Sequence, residues 1–173
     1  MNINFRFLPF AAAAMLAVAP VTTSAQSSHH EKTVGVTLGY VSRNQSAIAG
    51  IDFTYRFSQH LRFAPEILYA FQHHSEDALI ANVDFHVPFQ VSPRCDIYPL
   101  VGLNYTGWTF HHSRSAEQEL LDVTTRSTHF GLNFGGGINA NISSTMSVGF
   151  EARWAWVKNY NTALLSAKIA YRF

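Results

Sequence analysis

The chain has 173 residues, of which 13% are charged and 14% aromatic, with fourteen Phe and a net charge of +1. Charge at about half the ~25% of an ordinary soluble domain, with no basic or acidic excess, excludes a nucleic-acid-binding field and an acidic disordered chain. A mean hydropathy of +0.01 is too low for a bundle of membrane helices. The single cysteine, Cys95, excludes an internal disulfide framework and a CxxC pair.

In chain order, residues 1–25 read as a secretory signal peptide: Arg6 early, an apolar run "FLPFAAAAMLAVAP", and Thr23-Ser24-Ala25 before the cut. Pro9 and Pro20 make it a poor spanning helix. Residues 26–173 then form one domain in which apolar and polar residues alternate with a period of two. The first run sets Val34, Val36, Leu38 and Tyr40 against Gly35, Thr37 and Gly39. The second sets Ile51, Phe53, Tyr55 and Phe57 against Asp52, Thr54 and Arg56, and the third Phe63, Pro65, Ile67, Tyr69 and Phe71 against Arg62, Ala64 and Glu66. In the fourth, Leu79, Val83, Phe85, Val87 and Phe89 oppose Asn82, Asp84 and His86; in the fifth, Val101, Leu103 and Tyr105 oppose Gly102, Asn104 and Thr106.

The sixth run places Phe130, Leu132, Phe134, Ile138 and Ile142 opposite His129, Asn133 and Asn139. Met146, Val148, Phe150, Ala152, Trp154 and Trp156 oppose Glu151 and Arg153 in the seventh, and Ala163, Leu165, Ala167, Ile169, Tyr171 and Phe173 oppose Lys168 and Arg172 in the eighth. Runs of about ten residues are the length a tilted strand needs to cross a bilayer. Connections near 58–60, 92–96 and 143–145 read as tight turns, those at 72–77 and 111–127 as longer loops. The parity assigns the turns to the periplasm and the loops to the outside. Aromatics gather near both rims, with Phe57, Phe63, Phe89, Tyr98 and Phe173 below and Tyr40, Tyr69, Phe71, Trp108, Phe110, Phe130 and Trp156 above.

The segments "LRFAPEILYAF", "YPLVGLNYTGW", "FGLNFGGGINANISSTMSVGFEARWAW" and "AKIAYRF" resemble the small outer-membrane barrels of the OmpA/OmpX type, in the outer membrane protein β-barrel domain family. The resemblance covers the chain after residue 25. It implies an all-β, eight-stranded antiparallel up-and-down transmembrane β-barrel in a Gram-negative-type outer membrane, exported by a cleaved signal peptide. It also implies that Ala167, Ile169, Tyr171 and terminal Phe173 are the assembly signal read by the barrel-assembly machinery, after escort by periplasmic chaperones. Longer OmpA relatives append a peptidoglycan-binding domain, and the resemblance here leads us to expect the barrel alone, ending at Phe173.

The nine ionic residues of the polar face, Asp52, Arg56, Arg62, Glu66, Asp84, Glu151, Arg153, Lys168 and Arg172, form a near-balanced set. Eight strands enclose an interior just wide enough for side chains, so a lumen charge network that sets register and rigidity is favoured over a gated pore. Adjacent histidines in a strand point to opposite faces. One of His111 or His112 with His129 is the best two-ligand set, too few for a metal site, and solvated loop histidines are the preferred reading. Lipid A deacylases of this architecture carry a His-x-Ser pair where this chain reads Trp154-Ala155-Trp156. "HHSED" at 73–77 has catalytic residue types without a placed partner, and no enzyme, cofactor or metal is expected.

Cys95 is read as a free thiol in a periplasmic turn. Residues 113–126, with Glu117, Glu119 and Asp122 against Arg114 and Arg126, form the largest outer surface, with a helical turn conceivable in "AEQELL". The reading is a monomeric, non-catalytic barrel in contact with outer-membrane lipid and not with nucleic acid. Its role is envelope integrity or surface interaction; the alternatives are an adhesin-like module whose loops meet a cell-surface ligand and a narrow porin-like channel.

Overall fold

The structure, a computed structural model, describes residues 31–73, 75–116, 119–158 and 160–173, and within 111–124 the backbone alone. The expected signal peptide, His74, Glu117 and the side chains of His111, His112, Arg114, Glu119 and Asp122 lie outside the described residues. Nine strand segments follow in order: β1 Lys32–Val41, β2 Ser46–Ser58, β3 Leu61–His73, β4 Glu76–His86, β5 Phe89–Ser92, β6 Cys95–Ala116, β7 Glu119–Asn141, β8 Met146–Val157 and β9 Thr162–Arg172. β4 and β5 both lie antiparallel along β6 and are two pieces of one barrel strand. The break falls at Val87-Pro88, where proline has no N–H for the ladder. Val87 still donates its N–H to the Pro99 carbonyl at 3.1 Å.

The last strand returns to the first, with Val34 opposite Tyr171 and Val41 opposite Leu164. That seam closes an eight-stranded, antiparallel, up-and-down barrel, and closure removes the open edges that make a flat sheet associate. We call the end holding both described termini and the tight turns the turn end, and the other the hairpin end. Alternation sends Val36, Leu38, Ile51, Ile67, Leu103, Phe150 and Ile169 outward, each more than half exposed. Large apolar side chains turned outward all round the wall are stable only in a hydrocarbon solvent.

Several expectations are corrected. Trp108 does not belong to the upper aromatic rim: it shares the inward phase of Asn104 and Thr106 and is 1% exposed, and Phe110, in the same phase, packs against the core. Tyr98 likewise points inward rather than to the lower rim. The long loop at 111–127 is largely paired strand, since β6 and β7 run together to Ala116 opposite Glu119, and of the expected helical turn Ala116, Glu119, Leu120 and Leu121 are strand. The loop at 72–77 shrinks similarly, with His73 opposite Glu76. Cys95 opens β6, opposite Ala140, rather than lying in a turn. The two ends therefore differ in how far strands overhang, not in loop length.

Candidate functional site

The interior divides into three layers. At the hairpin end, ten side chains form a dry plug: Val41, Ile48, Leu68, Ala70, Ala78, Ile80, Trp108, Ala155, Val157 and Leu164. Seven of the eight barrel strands contribute, because at this height both faces of the strands are apolar, as in the Ile67-Leu68-Tyr69-Ala70-Phe71 run. Above the plug the Arg43 guanidinium lies 4.0 Å from the Tyr160 ring centre and 5.2 Å from that of Trp108. His129 stacks on Tyr160 at 3.7 Å. Cation–π contacts of this kind hold a cap over the mouth.

Below the plug lies a layer of amides. Asn82 and Asn104 face one another across β4 and β6; Asn104 donates to Asn82 at 2.8 Å and Asn133 donates to Asn82 at 2.9 Å and to Asp84 at 3.0 Å. Thr106 in turn donates to Asn104 at 2.7 Å. An amide both donates and accepts, so this layer joins an apolar plug to an ionic one.

The ionic layer centres on Arg153. Its guanidinium bonds Glu66 at 2.6 Å, Asp84 at 3.2 Å and Glu151. Lys168 reaches Glu66 at 3.0 Å and Glu151 at 3.3 Å. Thr37 Oγ1 stands 3.0 Å from Asp52 and 3.1 Å from Glu66, sharing one proton between two carboxylates, and Asn82 donates to Glu66 at 3.1 Å. Tyr98 donates to Glu151 at 3.1 Å while its ring stacks on His86 at 4.5 Å.

The remaining three cations find partners that the sequence reading did not assign. Arg62 forms a two-pronged pair with Asp96 at 2.8 and 2.7 Å. Arg172 meets Glu31 at 2.5 Å and donates to Asn141 at 2.7 Å, while Arg56 lies 3.8 Å from the same Glu31. Asp52 joins the network through Thr37 rather than through a cation. Asp96 and Glu31 were missed because each lies just outside the alternating runs, where the period gives no face. A residual cavity of about 60 Å³, lined by His86, Tyr98, Asp52 and Lys168 among others, leaves room for a few waters.

The network depends on absent side chains. A Cβ on Gly137 would lie 2.6 Å from the ring and hydroxyl of Tyr98. Gly137→Val should displace Tyr98 from Glu151 and destabilise the barrel by about 1–3 kcal/mol, the usual cost of overpacking. Urea unfolding of the refolded protein in detergent reads this, and a midpoint equal to wild type would refute it.

The register also separates the histidines: His129 is opposite Thr106, whereas His111 is opposite Thr124 and His112 opposite Val123. Five rungs of about 3.4 Å put His129 far from either as a co-ligand, so the two-ligand set is not formed. No group of three metal-ligating side chains occurs among the described residues.

The family model for the outer membrane protein β-barrel domain matches residues 11–173. The chain belongs to this family. No curated protein matches this outer-membrane barrel by sequence. Solved structures share its fold. The N-terminal β-barrel domain of Pseudomonas aeruginosa OprF has a TM-score of 0.65 at 10% identity over 85% of this chain and 100% of that one. Neisserial surface protein A, NspA, gives 0.65 at 16% over 84% and 98%, and Ail, the attachment invasion locus protein of Yersinia pestis, gives 0.60 at 13% over 84% and 100%. Within this family the outward apolar wall is the membrane-facing surface. On it lie Ala167, Ile169, Tyr171 and Phe173, the last three more than half exposed.

Proposed function

We propose that this outer-membrane barrel is closed, monomeric and non-catalytic, and that it serves the envelope as a structural element carrying an interaction surface on the β6–β7 hairpin. The observation that carries the reading is the filled interior. An apolar plug, an amide layer and an ionic layer succeed one another along the axis, so solute has no continuous polar route. Catalysis finds no support either, because the stretch Trp154-Ala155-Trp156 has neither nucleophile nor base.

What distinguishes the outer end is overhang. β4 stops pairing with β6 at Glu76 opposite Phe110, and β8 stops pairing with β7 at Val157 opposite Gly131, yet β6 and β7 stay paired to Ala116 and Glu119. Since barrels of this class keep tight turns in the periplasm and longer projections outside, the hairpin faces the medium. On β9, the lipid-facing Ala167, Ile169, Tyr171 and Phe173 are the element offered to the barrel-assembly machinery, following export by a cleaved signal.

The test removes the overhang. Replacing Ser113–Asp122 by Asn-Gly between His112 and Val123, which are register partners, gives a shorter hairpin with a compatible turn. The variant should migrate as a folded, heat-modifiable barrel and keep the envelope's detergent resistance while losing adherence to cell surfaces. Undiminished adherence would overturn the hairpin's role, and ion conductance of the wild type in planar bilayers would overturn the closed barrel.

A further inference from the structure

β8 ends at Val157 while β7 continues toward Glu119, so above Gly131 the wall has a notch on the β8 side of β7. Arg126, Thr128 and Phe130 share the lipid-facing side of β7 and are all exposed. Trp156 lies at the top of β8 and Lys158 in the turn just past its end, and both are exposed. Phe130 and Trp156 are 76% and 60% exposed, and Tyr105 buttresses Phe130 edge-on at 4.9 Å. The notch thus has an aromatic floor. Lys158 stands two residues past Trp156, and Arg126 four residues above Phe130, about 13 Å along the strand.

Neither Lys158 nor Arg126 has an ion-pair partner among the described residues. The acid on the Arg126 row, Asp77, sits two strands away across Thr109 and accepts from the Tyr69 hydroxyl at 3.2 Å. Two long cationic side chains above exposed rings, at the height where acyl chains give way to headgroups, complement a negatively charged amphiphile. An acyl chain lies on the rings and a phosphate reaches the cations. We infer that this notch docks a phosphate-bearing headgroup of net negative charge on an outer-leaflet lipid, with Lys158 and Arg126 as phosphate ligands and Phe130 and Trp156 as the acyl platform. The inference rests on the reading that the hairpin end faces outward.

Trp156 supplies the probe. In a Trp154→Phe background the remaining tryptophans are Trp108, inside the plug, and Trp156, so quenching by lipids brominated in their acyl chains reports contacts at the notch. The protein is refolded into phosphatidylcholine vesicles containing phosphatidylglycerol, with the bromine on one lipid or the other. Phosphatidylglycerol should be enriched at Trp156 by about threefold or more over its bulk fraction, and the enrichment should weaken with salt. The Lys158→Ala/Arg126→Ala pair should abolish it, while Lys32→Ala, exposed at the opposite end, should leave it intact. Equal quenching by the two lipids, or equal loss in Lys32→Ala, would overturn the site. Trp156 unquenched by both lipids would overturn the membrane-spanning assignment itself. A heat-modifiable band for each variant shows that it has folded.

Discussion

Arg153→Ala should be the most damaging single change to the barrel wall, lowering stability by about 3–5 kcal/mol, the cost of breaking a buried ion pair by removing one partner. Arg153 holds three carboxylates, those of Glu66, Asp84 and Glu151. Its loss leaves Lys168 alone beside Glu66 and Glu151, with Asp84 bonded only by Asn133. Lys168→Ala should cost less, because both of its carboxylates stay on Arg153. The order is measured as urea midpoints of the refolded variants in detergent. Equal midpoints for Arg153→Ala and wild type would show that the network contributes nothing to stability. Replacing Arg153 by Met together with Asp84→Asn and Glu151→Gln should recover much of the loss, since Lys168 and Glu66 then remain as a pair at 3.0 Å and the unpaired charges are removed.

Trp108→Ala should destabilise by about 3–5 kcal/mol, the range for truncating a fully buried aromatic, with the size set by how far the plug collapses into the hole. Trp108 is the largest fully buried side chain and touches the cap through Arg43, so the variant should also loosen the outer mouth. Conductance in planar bilayers should nevertheless remain at background, because the Asn82, Asn104 and Asn133 layer and the Arg153 cluster still fill the bore beneath. Stable open-channel steps from Trp108→Ala would mean that the plug alone keeps the barrel shut.

These outcomes concern two of the interior layers, and the sequence displayed them unequally. The charges were legible. Where large apolar residues alternate with Asp52, Glu66, Asp84, Glu151 or Arg153, only one assignment keeps charge out of lipid. Their partners were less so, since pairing across the bore joins residues as distant as Glu66 and Arg153, a contact set by the stagger of closure and not by neighbours in the chain. The plug was hidden for another reason. In 67–71 the residues on both faces are apolar, and a continuous apolar run has no period from which to read direction. Trp108 and Tyr98 were placed with the interfacial aromatics, whereas their phase relative to Asn104 puts them inside.

The amino-acid order by itself determined that the chain alternates, that charge avoids one face, and that the runs are long enough to span a bilayer; these are local properties fixed by the two-residue repeat of a strand. Tertiary structure decided what that repeat cannot encode. Closure of β1 on β9 chose which side chains meet across the lumen, gave Arg62 to Asp96 and Arg56 and Arg172 to Glu31, and stacked an apolar plug on an ionic one. It also left β7 without β8 beside it above Gly131. Strand pairing is non-local, so the height at which each partner stops is a property of the whole barrel, and with it the hairpin that projects and the notch beside Trp156.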